Sequence, residues 1–141
     1  FTGKAQRHYL TGTLAEATHY VNGIKHGLML KWFPGGNQSY SAYYQNGQRS
    51  GEVKSWWSNG QLRSLAQYEN GIAHGMQQEW YKSGQIFKQS TLVKGQEEGL
   101  QQAWRENGKL YNNYEAKEGR IYGLKRSNLC FELQDEQITA N

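Results

Sequence analysis

The chain has 141 residues, a formal net charge of +4 and a hydrophobic content of 36%, which includes ten Tyr and five Trp. This composition disfavours a compact aliphatic core and favours a thin sheet lined with aromatic rings, which bury one side and keep a polar tip in water. Basic and acidic residues are interspersed, which disfavours a charge-driven nucleic-acid surface, and no stretch approaches the roughly 18 consecutive apolar residues of a membrane helix.

A 24-residue period runs through the sequence. Tryptophan recurs with that step at Trp32, Trp56, Trp80 and Trp104, and sixteen of the 17 glycines fall into three columns with the same step. A fixed period of this size indicates a repeat array, in which each unit buries its apolar surface against its neighbours.

The period divides the chain into an array over residues 1–126 and a segment over 127–141. The array opens with a fragment, residues 1–7, and continues with units that start at residues 8, 32, 56, 80 and 104. The last segment leaves the pattern, and its apolar residues predict a strand or cap that closes the array before a polar tail. These residues are Leu129, Cys130, Phe131 and Leu133.

Each unit contains two turn signals separated by strand-like runs of six to eight residues. This spacing predicts an antiparallel meander with one hairpin per unit. Helices are disfavoured because glycines would fall inside every candidate helix, at a cost of about 1 kcal/mol each relative to Ala.

The first turn of each unit can be specified further. Pro34 suits the second residue of a type I turn, and Gly36 then takes the left-handed conformation of a three-residue loop with a G1 bulge. This register places the Trp column opposite the seventh column of the unit, which holds Leu14, Gln38, Leu62, Ile86 and Leu110.

Strict alternation along the strands then assigns the remaining columns to two faces. We expect the packed face to hold the Trp column together with Tyr20, Tyr44, Tyr68 and Leu92, and with Leu28, Met76, Leu100 and Leu124. We expect the opposite face to carry a second column made of Tyr9, Phe33, Trp57, Tyr81 and Arg105.

The units resemble the MORN repeat in its bacterial variant, grouped as YwqK-type antitoxin-like proteins. The resemblance rests on WWSNGQL, WYKSGQI and WRENGKL, and on YVNGIKHG, YQNGQRSG and YENGIAHG. It implies an all-β fold, an elongated and twisted antiparallel single-sheet meander of hairpin repeats that serves protein contacts and, in some members, membrane association. It also implies export or a cell-envelope location slightly more than a cytoplasmic one.

Catalytic chemistry has little support in these residues. A hydrolase or transferase needs a placed nucleophile, base and stabilising donors, and no motif accompanies a Cys130–His74 pair. His19 and His26 lack a third metal ligand, and the glycines lie in turns with no helix after them, unlike a phosphate-binding loop. We therefore expect no enzyme activity, cofactor, metal or small-molecule substrate.

The expected function is a non-catalytic scaffold that binds a protein partner through an exposed sheet face, in an antitoxin-like role. The second column, Tyr9, Phe33, Trp57, Tyr81 and Arg105, is the candidate binding surface, since exposed aromatic rings anchor partners well. The alternative is that these rings only stack as cross-strand neighbours.

Another functional alternative is a peripheral module for anionic lipid. Its candidate residues are scattered Lys and Arg side chains, each worth about 1 kcal/mol when well placed at a lipid surface. They include Lys25, Lys31, Arg49, Lys54, Arg63, Lys82 and Lys88. A third alternative, from the resemblance alone, is an accessory segment of an enzyme.

Overall fold

The computed structural model describes residues 1–122, and all the regular structure in that range is β-strand. The strands are β1 Gly3–His8, β2 Leu14–Val21, β3 Ile24–Trp32, β4 Gln38–Gln45, β5 Gln48–Arg49, β6 Gly51–Trp56, β7 Leu62–Glu69, β8 Ile72–Ala73, β9 Gly75–Trp80, β10 Ile86–Val93, β11 Gln96–Glu97, β12 Gly99–Trp104, β13 Leu110–Lys117 and β14 Arg120–Tyr122. The predicted all-β fold of hairpin repeats is confirmed. The predicted cap over 127–141 and Leu124 lie outside the described residues.

The chain forms two compact units, unit 1 over residues 1–73 and unit 2 from residue 74 onward. In unit 1 the strand order is β1-β2-β3-β4-β6-β7, with β5 paired to β4 and β8 to β7. In unit 2 the order is β9-β10-β12-β13-β14, with β11 paired to β10. Every pairing is antiparallel, so each unit is a meander of consecutive hairpins.

The first turn of each hairpin has the predicted three-residue geometry. The Phe33 N–H donates to the Asn37 carbonyl at 2.7 Å, and the Gly36 N–H donates to the Phe33 carbonyl at 2.9 Å. Gly36 has a φ of 99°, in the left-handed region that glycine tolerates. The Trp column lies opposite the seventh column, as predicted: Trp56, for example, faces Leu62.

The second turn of each hairpin is a two-residue loop in which both residues have positive φ. Asn46 has a φ of 53° and Gly47 a φ of 82°, the combination that a type I′ turn requires and that Asn-Gly adopts most readily. The Gly47 N–H donates to the Lys25 carbonyl of the preceding repeat at 2.8 Å. These turns therefore also connect neighbouring repeats.

The sequence reasoning missed a second irregularity, a bulge at the eighth residue of every unit. Trp56 pairs with Leu62 and Ser55 with Ser64, so Arg63 has no counterpart on β6. The same shift leaves Ala15, Ser39, Phe87 and Tyr111 as extra residues in their strands. One extra residue reverses the side on which every later side chain of the strand points.

This bulge corrects the predicted faces. Tyr44 pairs with Gly27, and Tyr68 pairs with Gly51. Each of these glycines lies five residues before the Trp of its strand, an odd number, so the two positions face opposite sides of the sheet. The tyrosines thus lie on the face opposite the tryptophans. We call the side with the paired residues Met29, Ala42, Val53 and Ala66 the tyrosine face, and the side with the Trp column the tryptophan face.

The buried side chains of unit 1 lie mainly on the tyrosine face. Met29, Ala42, Tyr44 and Val53 form the core cluster, with Tyr40, Ala66 and Tyr68 packed against it. In unit 2 the corresponding buried residues are more polar, and include Ser90, Gln101 and Tyr114.

The column expected to join the packed face of the Trp residues is exposed instead. Leu28, Met76 and Leu100 retain 47%, 45% and 52% of their accessible surface. Each lies on the same side as the tryptophans of its own unit, as predicted, but that side is not the packed one.

Neighbouring substitutions in β3 test this assignment of the core. Met29→Ala removes a side chain that is 6% exposed and should lower the free energy of unfolding by about 2 kcal/mol or more. Leu28→Ala should lower it by about 1 kcal/mol or less, because about half of this side chain is exposed. Urea unfolding followed by tryptophan fluorescence measures both, and equal losses would contradict the assignment.

The Lys94-Gly95 turn, one of the type I′ turns in unit 2, offers a stabilising substitution. Lys94 occupies the Asn position of the type I′ turn with a φ of 52°, a conformation that costs an ordinary L-residue about 1 kcal/mol and Asn less. Lys94→Asn should therefore raise the free energy of unfolding by about 0.5–1 kcal/mol. Lys94→Gln removes the same charge without the turn preference; if it stabilises equally, the backbone explanation is wrong.

Candidate functional site

The five predicted binding residues stand at equivalent positions, each immediately before the three-residue loop of a first turn. Tyr9, Phe33, Trp57 and Tyr81 are half-buried and Arg105 is exposed. Within each unit they lie at the edge where the first turns of the hairpins lie, which we call the turn edge, rather than in the middle of a sheet face.

Side chains at the turn edge contact one another within each hairpin. In these hairpins the bulge residue packs over the residue that precedes the three-residue loop. The Arg63 guanidinium lies 4.4 Å from the centroid of a Trp57 ring, and the ring centroids of Tyr81 and Phe87 are 5.1 Å apart. The guanidinium of Arg105 lies 5.3 Å from the Tyr111 ring.

Two tyrosines of the turn edge also connect successive repeats. The Tyr9 hydroxyl donates to the Trp32 carbonyl at 2.6 Å, and the Tyr81 hydroxyl donates to the Trp104 carbonyl at 2.9 Å. These contacts give the column a structural role in holding the hairpins together. Partner binding by the column stays a prediction.

The tryptophan face of unit 1 exposes apolar side chains in the middle of the sheet. Leu28 pairs directly with Tyr43 across β3 and β4, and they retain 47% and 43% of their accessible surface. Trp32 and Leu30 on the same face are half-buried. This face therefore offers apolar area that the core of the sheet does not use.

The tyrosine face of unit 1 carries a ladder of tyrosines and cations that the sequence reasoning missed. The register pairs Tyr20 with Lys25 and Tyr44 with Arg49. The Lys25 ammonium lies 5.1 Å from the Tyr44 ring centroid, and the Arg49 guanidinium lies 5.3 Å from that of Tyr68. Both distances suit cation–π attraction.

Arg49 is the best-held cation of this ladder. Its Nε donates to the Tyr44 hydroxyl at 3.4 Å, and its Nη1 donates to the Tyr68 hydroxyl at 3.2 Å. Burial acts to raise the pKa of Tyr44, but the Arg49 hydrogen bond and the charges of Arg49 and Lys25 outweigh it, so the pKa is lowered. The same hydrogen bond to Tyr44 is the main cause that raises the pKa of Arg49, against an opposing effect of burial.

A signal for this ladder was present in the sequence. Tyr20 and Lys25 are five residues apart, as are Tyr44 and Arg49, and a two-residue turn between them makes such residues direct neighbours. The pairs went unnoticed because strict alternation placed the tyrosines beside the tryptophans.

In unit 2 the ladder position holds an acidic residue. The Tyr114 hydroxyl donates to the Glu97 carboxylate, 2.8 and 2.9 Å from its two oxygens. Burial, followed by the hydrogen bond to Glu97, raises the pKa of Tyr114 to about 12. The tyrosine face of unit 2 therefore lacks the cationic character found in unit 1.

The histidines of the second turns have structural partners. The His26 Nδ1 accepts the Asn46 N–H, and the His74 Nδ1 accepts the Lys94 N–H, both at 3.3 Å. The His19 Nδ1 lies 3.0 Å from the Leu28 carbonyl. Among residues 1–122, no group of three or more His, Cys, Asp or Glu is placed to hold a metal ion, and no helix in that range is long and apolar enough to cross a membrane.

The Tyr114–Glu97 contact predicts how stability changes at alkaline pH. The pKa of Tyr114 is about 12 in the folded chain against an ordinary 10.0, so the unfolded chain loses this proton first. Its contribution is therefore full below about pH 10 and is lost as the pH rises towards 12. Between pH 10 and 12, the free energy of unfolding should therefore fall less steeply with pH in the Tyr114→Phe variant than in the parent. Urea unfolding at successive pH values measures both slopes.

A matched variant separates the two causes of this effect. Glu97→Gln keeps a hydrogen-bond acceptor for the Tyr114 hydroxyl but removes the charge. The slope of its free energy of unfolding against pH should therefore lie between those of the parent and Tyr114→Phe. Identical slopes for all three proteins would contradict the assignment.

Comparison with known families supports the repeat interpretation. Residues 49–70 and 73–94 each match the family described as the MORN repeat variant. These matches support a MORN-repeat protein, and MORN repeats are generally non-catalytic repeat modules. No curated protein matches the chain.

Proposed function

We propose that this MORN-repeat protein is a non-catalytic module that binds a protein partner through its tryptophan face. The observation that carries the proposal is the exposed pair Leu28–Tyr43 in the middle of a face whose Trp column is itself only half-buried. Apolar side chains that remain exposed together on a sheet mark an interaction surface more often than isolated ones do.

The same column repeats this exposure in unit 2. Met76 and Leu100 occupy the position of Leu28 in their own repeats, and both are about half-exposed. Glu52 interrupts this column, but its other described members, Leu28, Met76 and Leu100, are large and exposed, and such side chains can serve as apolar anchors at a protein interface.

Charge on the tryptophan face of unit 1 is balanced, which suits a protein interface better than an anionic lipid surface. Lys54 lies 3.7 Å from Glu52 on this face. Polybasic attraction requires several unopposed cations. The proposal includes membership in the YwqK-type antitoxin-like group, so the expected partner is a protein whose activity the module restrains.

Variants on two surfaces test which one binds the partner. Leu28→Ser/Tyr43→Ser should weaken binding of an identified partner by about 30-fold or more, the effect of losing about 2 kcal/mol at an interface anchor. Phe33→Ser/Trp57→Ser is the matched double variant at the turn edge and should have the smaller effect on binding. Titration calorimetry measures the affinities, with circular dichroism to show that each variant is folded.

Three outcomes would contradict this proposal. Unchanged affinity in a folded Leu28→Ser/Tyr43→Ser variant would exclude the tryptophan face, and a larger loss at the turn edge would assign binding to the column of Phe33 and Trp57. The third outcome is that the parent pellets with anionic vesicles at low salt and the Leu28→Ser/Tyr43→Ser variant does not. That result would make this face a lipid-binding surface.

A further inference from the structure

The positive charge of the chain is concentrated in unit 1. Residues 1–73 contain seven Lys and Arg against three Glu, a net charge of +4, whereas residues 74–122 contain seven Lys and Arg against six Glu, a net charge of +1. The net charge of the whole chain therefore resides largely in its first half.

The register separates these charges by face. The tyrosine face of unit 1 holds four of the seven cations and one acidic residue: Arg7, Lys25, Lys31, Arg49 and Glu16. The tryptophan face holds two cations and two acidic residues: Lys4, Lys54, Glu52 and Glu69. The remaining cation, Arg63, is the bulge residue of β7.

Three cations of the tyrosine face are held by tyrosine rings. Lys25 lies over Tyr44 at 5.1 Å and Lys31 over Tyr40 at 5.3 Å, measured from ammonium to ring centroid. Arg49 is fixed by two tyrosine hydroxyls as described above. Because their positions are restricted before any ligand arrives, a bound anion orders fewer side-chain rotamers.

None of these three cations makes an ion pair closer than 4.0 Å with another described residue, although Glu16 stands directly opposite Lys31 in the ladder. Within residues 1–73, the ion pairs closer than 4.0 Å join Arg7 to Glu16 and Lys54 to Glu52. Lys25, Lys31 and Arg49 thus form a fixed surface that stays net positive with Glu16, the ion-pair partner of Arg7, beside it.

We propose that the tyrosine face of unit 1 binds an acidic segment of polypeptide, whose carboxylates lie against Lys25, Lys31 and Arg49. The planar guanidinium of Arg49 matches carboxylate geometry. Lys25 and Arg49 lie on the two strands that flank β4, which are about 10 Å apart, so side chains a few residues apart on an extended peptide reach both.

A polar cavity beside Arg49 strengthens the choice of a carboxylate ligand. Arg49 lines a shallow cavity of about 140 Å³ at the second-turn end of the hairpins, together with Gln45, Asn46, Gln48, Ser50 and Asn70. The side-chain amide and hydroxyl groups of these residues can donate hydrogen bonds to a second carboxylate oxygen.

Two other anionic ligands fit this surface less well. Nucleic acids need open aromatic faces on which bases stack, but Tyr44 is only 8% exposed and Lys25 covers its ring. A lipid surface attracts cations that extend towards it, whereas Lys25 and Lys31 are folded over tyrosine rings.

The test uses the whole chain and a fluorescent hexaglutamate peptide with blocked termini, followed by fluorescence anisotropy. Binding should be measurable at about 20 mM salt and weaken strongly by about 300 mM, where charges are screened. Lys25→Gln/Lys31→Gln should weaken binding at least tenfold. Lys4→Gln/Lys54→Gln makes the same change in net charge away from the tyrosine face and should stay within twofold of the parent.

Further variants keep the result interpretable. Arg49→Lys keeps the charge but loses the planar fork, so it should bind the peptide several-fold more weakly. If a double variant fails to fold by circular dichroism, the single variant Lys31→Gln replaces it. Leu28→Ser/Tyr43→Ser should bind the peptide like the parent, so this inference and the proposed function can fail separately.

Three results would overturn the inference. These are no peptide binding at low salt, equal losses in Lys25→Gln/Lys31→Gln and Lys4→Gln/Lys54→Gln, or tighter binding of an oligothymidylate of equal charge or of anionic vesicles. The second result would reduce the effect to net charge, and the third would assign the face to another class of ligand.

Discussion

In every hairpin, one residue of the strand after the first turn has no partner across the ladder, and this extra residue decides which side chains are buried. It places Val53 opposite Ala66 instead of Leu65, and it places Met29 opposite Ala42. The core of unit 1 is consequently a stripe of residues with small neighbours, with tyrosines beside it. The Trp column, which dominates the sequence, lies on the other side and is half-buried. A bulge thus does more than bend the strand, because it exchanges the two faces.

The repeats are connected at both ends of their hairpins by contacts that the 24-residue period reproduces. At one end the Tyr9 hydroxyl donates to the backbone of the next repeat, and at the other end the Gly47 N–H donates to the backbone of the preceding one. The side chain of His26 adds a further acceptor there. Such nearest-neighbour contacts are what stabilise a repeat array. Because the edges hold the repeats together, the exposed parts of the two faces are free to differ in chemistry, and in unit 1 one is basic and the other apolar.

The sequence was sufficient to predict the turns but not the faces. The Pro34 turn, the left-handed Gly36 and the pairing of Trp56 with Leu62 follow from local backbone preferences, which a repeated pattern makes easy to recognise. The bulge has no such preference, since Ala, Ser, Arg, Phe and Tyr all occupy its position. Counting from the turn by strict alternation therefore placed Tyr44 on the wrong face and gave no sign of the cations that pair with the tyrosines. A better signal for the packed face was the column of small residues Ala42, Ala66 and Ser90. Small side chains recur where neighbouring strands leave little room, and Ala42 is indeed buried.

The measurement that tests this account most directly is the register beyond the bulge, read from nuclear Overhauser contacts between labelled methyl groups. The bulge at Arg63 places Val53 directly opposite Ala66. We expect a strong contact between the methyl groups of Val53 and Ala66. A regular strand with no bulge would place Val53 opposite Leu65 instead. A strong Val53–Leu65 contact without the Val53–Ala66 contact would contradict the assignment of both faces.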